Sequence, residues 1–254
     1  MIQPLTKINK GVKAAATVTV LSSMLLFTTP VMADWLDDAK SMLSGLFGDE
    51  QPAELTDDRV AQGLKEALSV GTQTVMDTLG KAGGFANNPD MKIGLPDSLK
   101  GVSGLLEKAG MGSWITDLED KLNQAAEKAV PEAGPVLLKA IKNMDLKDIQ
   151  GIYQGKDGAA TEYFKSAMSG PIGDAMTPII KESLADVGAM ETYEKAMKYY
   201  QSIPMLPKVD GDLLGWVKTK AMSGIFDQLA TEEAAIRKDP AKQTTDLLKQ
   251  LFKP

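Results

Sequence analysis

Few residues in this chain can do chemistry. It contains no histidine and no cysteine. A serine nucleophile in its commonest triad needs a histidine base, and a thiolate nucleophile needs a cysteine. Catalytic zinc on histidine ligands and haem on a histidine ligand are excluded for the same reason. Lysine and carboxylate chemistry remain. Ser166 and Ser169 lie near Lys165, but no Ser-x-x-Lys spacing links either serine to a lysine. Asp117, Glu119 and Asp120 form one acidic group, and Glu232 with Glu233 another. A catalytic carboxylate pair needs a cleft that moves its pKa values apart, and a solvated helical face is the simpler reading of both groups. Neither Lys156-Asp157-Gly158 nor Asp210-Gly211-Asp212 continues into the oxygen ligands and closing glutamate of a calcium loop. Gly83-Gly84 follows a helical pattern rather than a strand, so it is not read as a phosphate cradle. The expectation is a non-enzymatic protein with no catalytic residue, no metal site and no cofactor.

Apolar recognition is the chemistry left. Of fourteen methionines, eleven lie beyond residue 33, about double ordinary usage. Methionine is flexible and polarisable, and it suits pockets that accept varied apolar ligands; it also fills gaps in cores. The methionines are scattered, with no Met-x-Met cluster to suit copper. Residues 81–96 combine turn formers with apolar side chains too large for a freely solvated loop. Phe85 and Met91 are candidate walls of a ligand pocket there, with Asn87 and Asn88 as hydrogen-bonding groups. Tyr163, Phe164, Met222 and Phe226 complete the candidate ligand-binding set. The competing reading is a structural Ω-type loop fastened by Phe85. Trp114 and Trp216 read as core or edge packing.

The elements that must position these residues are all helical. Residues 34–47 place Trp35, Leu36, Leu43, Leu46 and Phe47 on one stripe of a 3.6-residue period, with Asp34, Asp37 and Asp38 in the first turn. That stripe can dock on its own domain, fill a partner's groove or touch a membrane. Its acidic polar face argues against the last. A polar linker follows to residue 55. Thr56 then caps a helix whose stripe runs from Val60 to Leu79, and Gly63 and Gly71 inside it predict close approach of neighbouring helices. Pro96 opens a helix through Leu106. Ser113 caps one to Ala129, Pro131 and Pro135 start another through Ile141, and Asp145 caps a short helix ending near Gln154. Helices follow at about 158–169, 172–187 and 190–202, with Pro178 expected to kink or split the middle one. Ile203-Pro204-Met205-Leu206-Pro207 is a break. A long helix spans 210–238, Asp239-Pro240 ends it, and a last helix carries Leu247, Leu248, Leu251 and Phe252. No stretch alternates as a strand, and no fixed-period repeat occurs.

Residues 1–33 read as a signal peptide. Lys7, Lys10 and Lys13 form a positive start, 14–29 is mostly apolar, and Val31-Met32-Ala33 fits a cleavage site. The apolar run is short for a membrane span, so cleavage after Ala33 is expected, with no transmembrane segment left. Removing those 33 residues from 254 leaves 221, and losing three lysines takes the net charge from −6 to −9. Such an acidic chain is unsuited to nucleic acid, which needs clustered cations.

Several blocks resemble one known family. They are Gly83-Gly84-Phe85-Ala86-Asn87-Asn88-Pro89 with Ile93-Gly94-Leu95-Pro96, Ala159-Ala160-Thr161-Glu162-Tyr163-Phe164, Lys220-Ala221-Met222-Ser223-Gly224-Ile225-Phe226, and Glu233-Ala234-Ala235-Ile236-Arg237-Lys238-Asp239-Pro240. Together, over roughly 56–252, they resemble the domain of unknown function 4197 family of exported proteins from Gram-negative bacteria. The resemblance implies an all-helical exported domain and brings no assigned reaction and no catalytic residues.

The sequence thus predicts an all-α, single multi-helix bundle of about ten helices over 56–254. A signal peptide (1–33) and a short amphipathic helix with linker (34–55) precede it. The expected protein is periplasmic and binds an apolar or amphipathic small molecule, such as a fatty acid or lipid, between helices. The alternative is an envelope interaction or scaffold module that meets a partner protein through the stripe from Trp35 to Phe47.

Overall fold

The computed structural model describes residues 55–209 and 211–253. The expected signal peptide, its cleavage after Ala33, and the amphipathic stripe with Trp35, Leu36, Leu43, Leu46 and Phe47 lie outside the described residues.

The described chain is an all-α bundle of eight α-helices, with two 3₁₀ turns at Asp97–Leu99 and Pro240–Lys242. The helices are α1 (Asp57–Leu79), α2 (Lys100–Lys108), α3 (Gly112–Asn143), α4 (Ile149–Tyr153), α5 (Ala159–Asp186), α6 (Ala189–Gln201), α7 (Leu213–Lys238) and α8 (Asp246–Leu251). Helix α3 is the hub and packs on α1, α2, α5, α6 and α7. Its neighbours α1 and α6 run antiparallel to it. Lys65 of α1 reaches the Lys142 carbonyl while Gly80 lies against Pro131, and Trp114 meets Tyr199 while Lys121 meets Thr192. Helices α5 and α7 are also antiparallel: Thr161 meets Glu233, Phe164 meets Phe226 and Thr177 meets Lys218.

A side chain at the N-cap explains four of the eight helix starts. The Thr56 hydroxyl accepts the Arg59 N–H, as its position predicts. Three starts differ from expectation. Helix α3 begins at Gly112 without a side-chain cap, so Ser113 does not serve as one. Asp148, not Asp145, caps α4 by accepting the Gly151 N–H, and Asp212 caps α7 through the Gly215 N–H, so that helix starts at Leu213.

The number of helices is eight rather than about ten because the prolines do not divide them. Pro131 and Pro135 sit inside α3, and Pro171 and Pro178 inside α5. All four are exposed. A proline removes one N–H and frees the carbonyl four residues back on the same face, and there water supplies the missing partner. The buried stripe of α3, through Ala125, Ala129, Ala133 and Leu137, continues past them and holds the helix together. The expected close approaches are present. A β-carbon on Gly63 would stand 2.6 Å from Leu251 Cδ2, and one on Gly71 would stand 2.8 Å from Leu229 Cδ1.

Since Pro178 lies on the wet face of the continuous helix α5, Pro178→Ala restores one backbone hydrogen bond without disturbing packing. The variant should be more stable by about 1–2 kcal/mol, part of the gain being offset by the freer unfolded chain. Calorimetry reads this as a higher melting temperature, and a lower one would show that the helix needs its proline.

Candidate functional site

The loop between α1 and α2 enters the core, so its peptide groups need partners inside the protein. Helix α3 provides them from one face, at positions 119, 123 and 127. The Glu127 carboxylate accepts the N–H groups of Phe85 and Ala86, both at 3.0 Å. Asn123 accepts the Ile93 N–H at 2.9 Å and donates to the Ile93 carbonyl at 2.8 Å. Glu119 accepts the Leu95 N–H at 3.3 Å. From α7, the Trp216 indole N–H closes the set on the Gly94 carbonyl at 2.8 Å. Gly83 bends the chain with a φ of +82°, a conformation that suits a residue without a β-carbon.

The candidate ligand residues fall on different sides of α7. Phe85 has 0% exposure and packs on Gly224, where a β-carbon would stand 2.9 Å from its ring and 3.8 Å from the Met91 sulfur. Phe164 and Phe226 meet edge-on at 5.8 Å, between α5 and α7. Met222 lies one turn away and faces Gly173 of α5. Positions 222 and 226 share a helix face, and 224 is about 200° from 222. The structure therefore assembles Phe85 with Met91, and Phe164 with Met222 and Phe226, as two packed layers. Asn87 is exposed. Asn88 makes a local turn by accepting the Asp90 N–H. Tyr163 stands apart, its hydroxyl donating to the Asp145 carbonyl and accepting the Lys147 N–H.

Glu233 and Arg237 form a second buried joint. Glu233, read from sequence as part of a solvated face, has 0% exposure, and Glu232 is buried as well. The Glu233 carboxylate accepts the N–H groups of Ala160 and Thr161, the Thr161 hydroxyl and the Arg237 Nε. The Arg237 guanidinium donates to the carbonyls of Ile152 and Tyr153 and stacks over Phe252 at 5.3 Å. One ion pair thus closes the carboxyl end of α4 and the amino end of α5 together. Helix α5 needs this, because its N-cap, Gly158, has no side chain. The sequence carries two signals of the joint: a helix start without a capping side chain, and a Glu-x-x-x-Arg spacing elsewhere.

Clefts occur away from the candidate residues. One of about 550 Å³ between α1 and α3 is lined by Met76, Pro131, Pro135 and Leu138. One of about 510 Å³ is lined by Tyr153, Leu251 and Phe252. One of about 650 Å³ lies between the end of α6 and the 203–209 loop, and one of about 320 Å³ adjoins it at Gln201 and Val209. None of the four is lined by Phe85, Asn87, Asn88, Met91, Tyr163, Phe164, Met222 or Phe226. Among the described residues no group of three or more acidic side chains is placed to hold a metal ion.

A hydroxyl–lysine pair does occur at Thr192, whose oxygen lies 2.7 Å from the Lys121 ammonium. Thr192 in turn donates to Asp117, and Lys121 binds the same carboxylate at 3.0 Å. The hydrogen bond from Lys121 holds the Asp117 carboxyl below its usual range. A lysine that donates to both neighbours offers no lone pair to a nucleophile, so the trio works as a clamp between α3 and α6.

Two measurements separate these joints from mere surface contacts. Glu127→Leu leaves the buried Phe85 N–H and the half-buried Ala86 N–H without an acceptor and should lose about 2–3 kcal/mol, whereas Glu127→Gln keeps an oxygen there and should lose much less. Hydrogen exchange at the Phe85 and Ala86 amides should speed up in the first variant alone. Glu233→Leu and Arg237→Leu should each lose about 3–5 kcal/mol in urea unfolding, and the double variant less than their sum. Additive losses would mean that the two side chains do not act as a pair.

No curated protein and no solved structure matches the chain. Residues 54–253 match the family described as protein of unknown function DUF4197, which takes in the whole bundle and all the blocks whose likeness the sequence carries. The chain belongs to the DUF4197 family.

Proposed function

We propose that this protein is a non-enzymatic, exported resident of the periplasm that binds an apolar or amphipathic small molecule, of the fatty-acid class, in the cleft beside the 203–209 loop. The observation that carries the proposal is the lining of that cleft. It has a volume of about 650 Å³, within the range of small-molecule sites, and Tyr200, Ile203, Pro204, Leu206, Pro207 and Val209 form most of its wall. The Tyr200 hydroxyl donates to the Pro207 carbonyl at 3.2 Å and braces one side against the other. The adjoining cleft sets Tyr193 and Met197 beside the polar Glu194 and Gln201. Lys208 is in the wall of the larger cleft, where an anionic head group finds a counter-charge, and Lys198 lines the adjoining one together with Glu194.

The absence of histidine and cysteine, and the engaged state of Lys121, favour binding over catalysis. The positive start, apolar run and small-residue site in residues 1–33 support export. The reading moves the ligand away from the 81–96 loop, whose inner face is filled by Phe85 and its hydrogen-bond partners.

Native mass spectrometry of protein purified from the periplasmic fraction without detergent tests this. An adduct that disappears on denaturation and has the mass of a fatty acid or lipid is expected. Val209→Trp, which fills the cleft from its edge, should lose that adduct while melting near the parent temperature. A bare chain, still bare after incubation with fatty acid, overturns the binder. It would leave the envelope interaction module, with Trp35 to Phe47 as its contact, as the reading to pursue.

A further inference from the structure

On the reading of the 203–209 cleft as the ligand site, we propose that Met205 is a redox-modification site, whose oxidation to the sulfoxide weakens the hold of that cleft on apolar ligands. Three properties meet at this residue. Among the described residues Met205 is the most exposed large apolar side chain, at 102%, against 38% for Met190 and 6% for Met197. It lines the cleft with Tyr200, Ile203 and Leu206. The chain contains no cysteine, so no thiol of its own competes for a two-electron oxidant.

The loop holds the sulfur within reach of solvent. Pro204 and Pro207 fix φ on either side of Met205 and Leu206, and the Tyr200 hydroxyl braces the Pro207 carbonyl. Water and small oxidants therefore meet the Met205 thioether freely. Met197, in the wall of the adjoining cleft, is buried and shielded from them. In the reaction a sulfur lone pair attacks one oxygen of hydrogen peroxide. The S–O bond forms as the O–O bond breaks, the sulfur loses two electrons, and the peroxide is reduced to water. The product is polar and chiral where the thioether was apolar. An alkyl chain gains by covering a thioether, whereas covering a sulfoxide oxygen strips it of water. The same exposure serves the reverse step. A methionine sulfoxide reductase can reach the group and restore the thioether. The oxygen then leaves as water, and two thiols of the reducing system become a disulfide.

Titration of the purified protein with dodecanoate, before and after brief exposure to dilute hydrogen peroxide, tests this, with the oxidised positions read by peptide mass spectrometry. Met205 should gain an oxygen before Met190, and Met197 should stay unmodified over the same interval. The oxidised parent should bind dodecanoate about tenfold more weakly. Methionine sulfoxide reductases should restore its affinity. Met205→Leu should bind like the parent and keep its affinity through the treatment. Met205→Gln, which carries a polar oxygen at the same place, should bind like the oxidised parent without any treatment. Oxidation of Met190 ahead of Met205, or an equal loss of affinity in the parent and in Met205→Leu, overturns the proposal. Uptake that survives oxidation of Met205 overturns the switch alone and leaves the ligand site standing. An untreated parent that takes up no dodecanoate overturns the ligand site and the switch with it.

Discussion

A buried loop must bring its peptide groups into the core, and this bundle is arranged around the means of satisfying them. The chain between α1 and α2 places Phe85 and Ile93 at full burial, so the N–H and C=O groups beside them lose water. No strand or helix pairs with them. Glu119, Asn123 and Glu127 of α3 do, spaced by four so that all three face the loop. This explains why α3 must be long, straight enough to present those positions together, and central. It also explains why buried polar side chains occur in the middle of an otherwise aliphatic stripe.

The Glu233–Arg237 joint obeys the same rule at the other end of α7. Helix ends that meet inside a protein leave orphan donors and acceptors, and here one carboxylate takes the donors of α5 while one guanidinium takes the acceptors of α4. The two joints explain the blocks that carry the family likeness. The 83–96 block packs through Phe85 on Gly224 in the 220–226 block, and the 159–164 block is capped by Glu233 in the 233–240 block. The blocks are partners in space, and their residue types answer to each other.

Much of the fold is legible in the sequence because helical periodicity is a strong local signal. The stripe from Val60 to Leu79 and the stop at Asp239-Pro240 are read correctly from residues alone. The division at Pro131 and Pro135 is not, because whether a proline breaks a helix depends on which face meets water, and that is a tertiary property. Glu232 and Glu233 show the same limit. A carboxylate pair looks solvated until the orphan N–H groups that bury it are known, and those come from residues more than seventy positions away. The apolar character of the 81–96 loop was legible, but the same composition serves a pocket rim and a core insertion equally. Only the direction of Phe85 decides between them.

This division bears on where function is to be sought. Positions fixed by packing or by buried hydrogen bonds have their residue types explained within the domain, and Phe85, Phe164, Glu233 and Arg237 are all of this kind. Most methionines of the described residues belong with them: Met144, Met176 and Met197 are buried, and Met76, Met91, Met111, Met168 and Met222 pack against the core, which accounts for part of the high methionine count. Met205 stands apart from them: it takes a positive φ in a segment bounded by prolines and lines the cleft beside that loop. Its residue type is not fixed by the core, and the cleft is where the proposed function places its use.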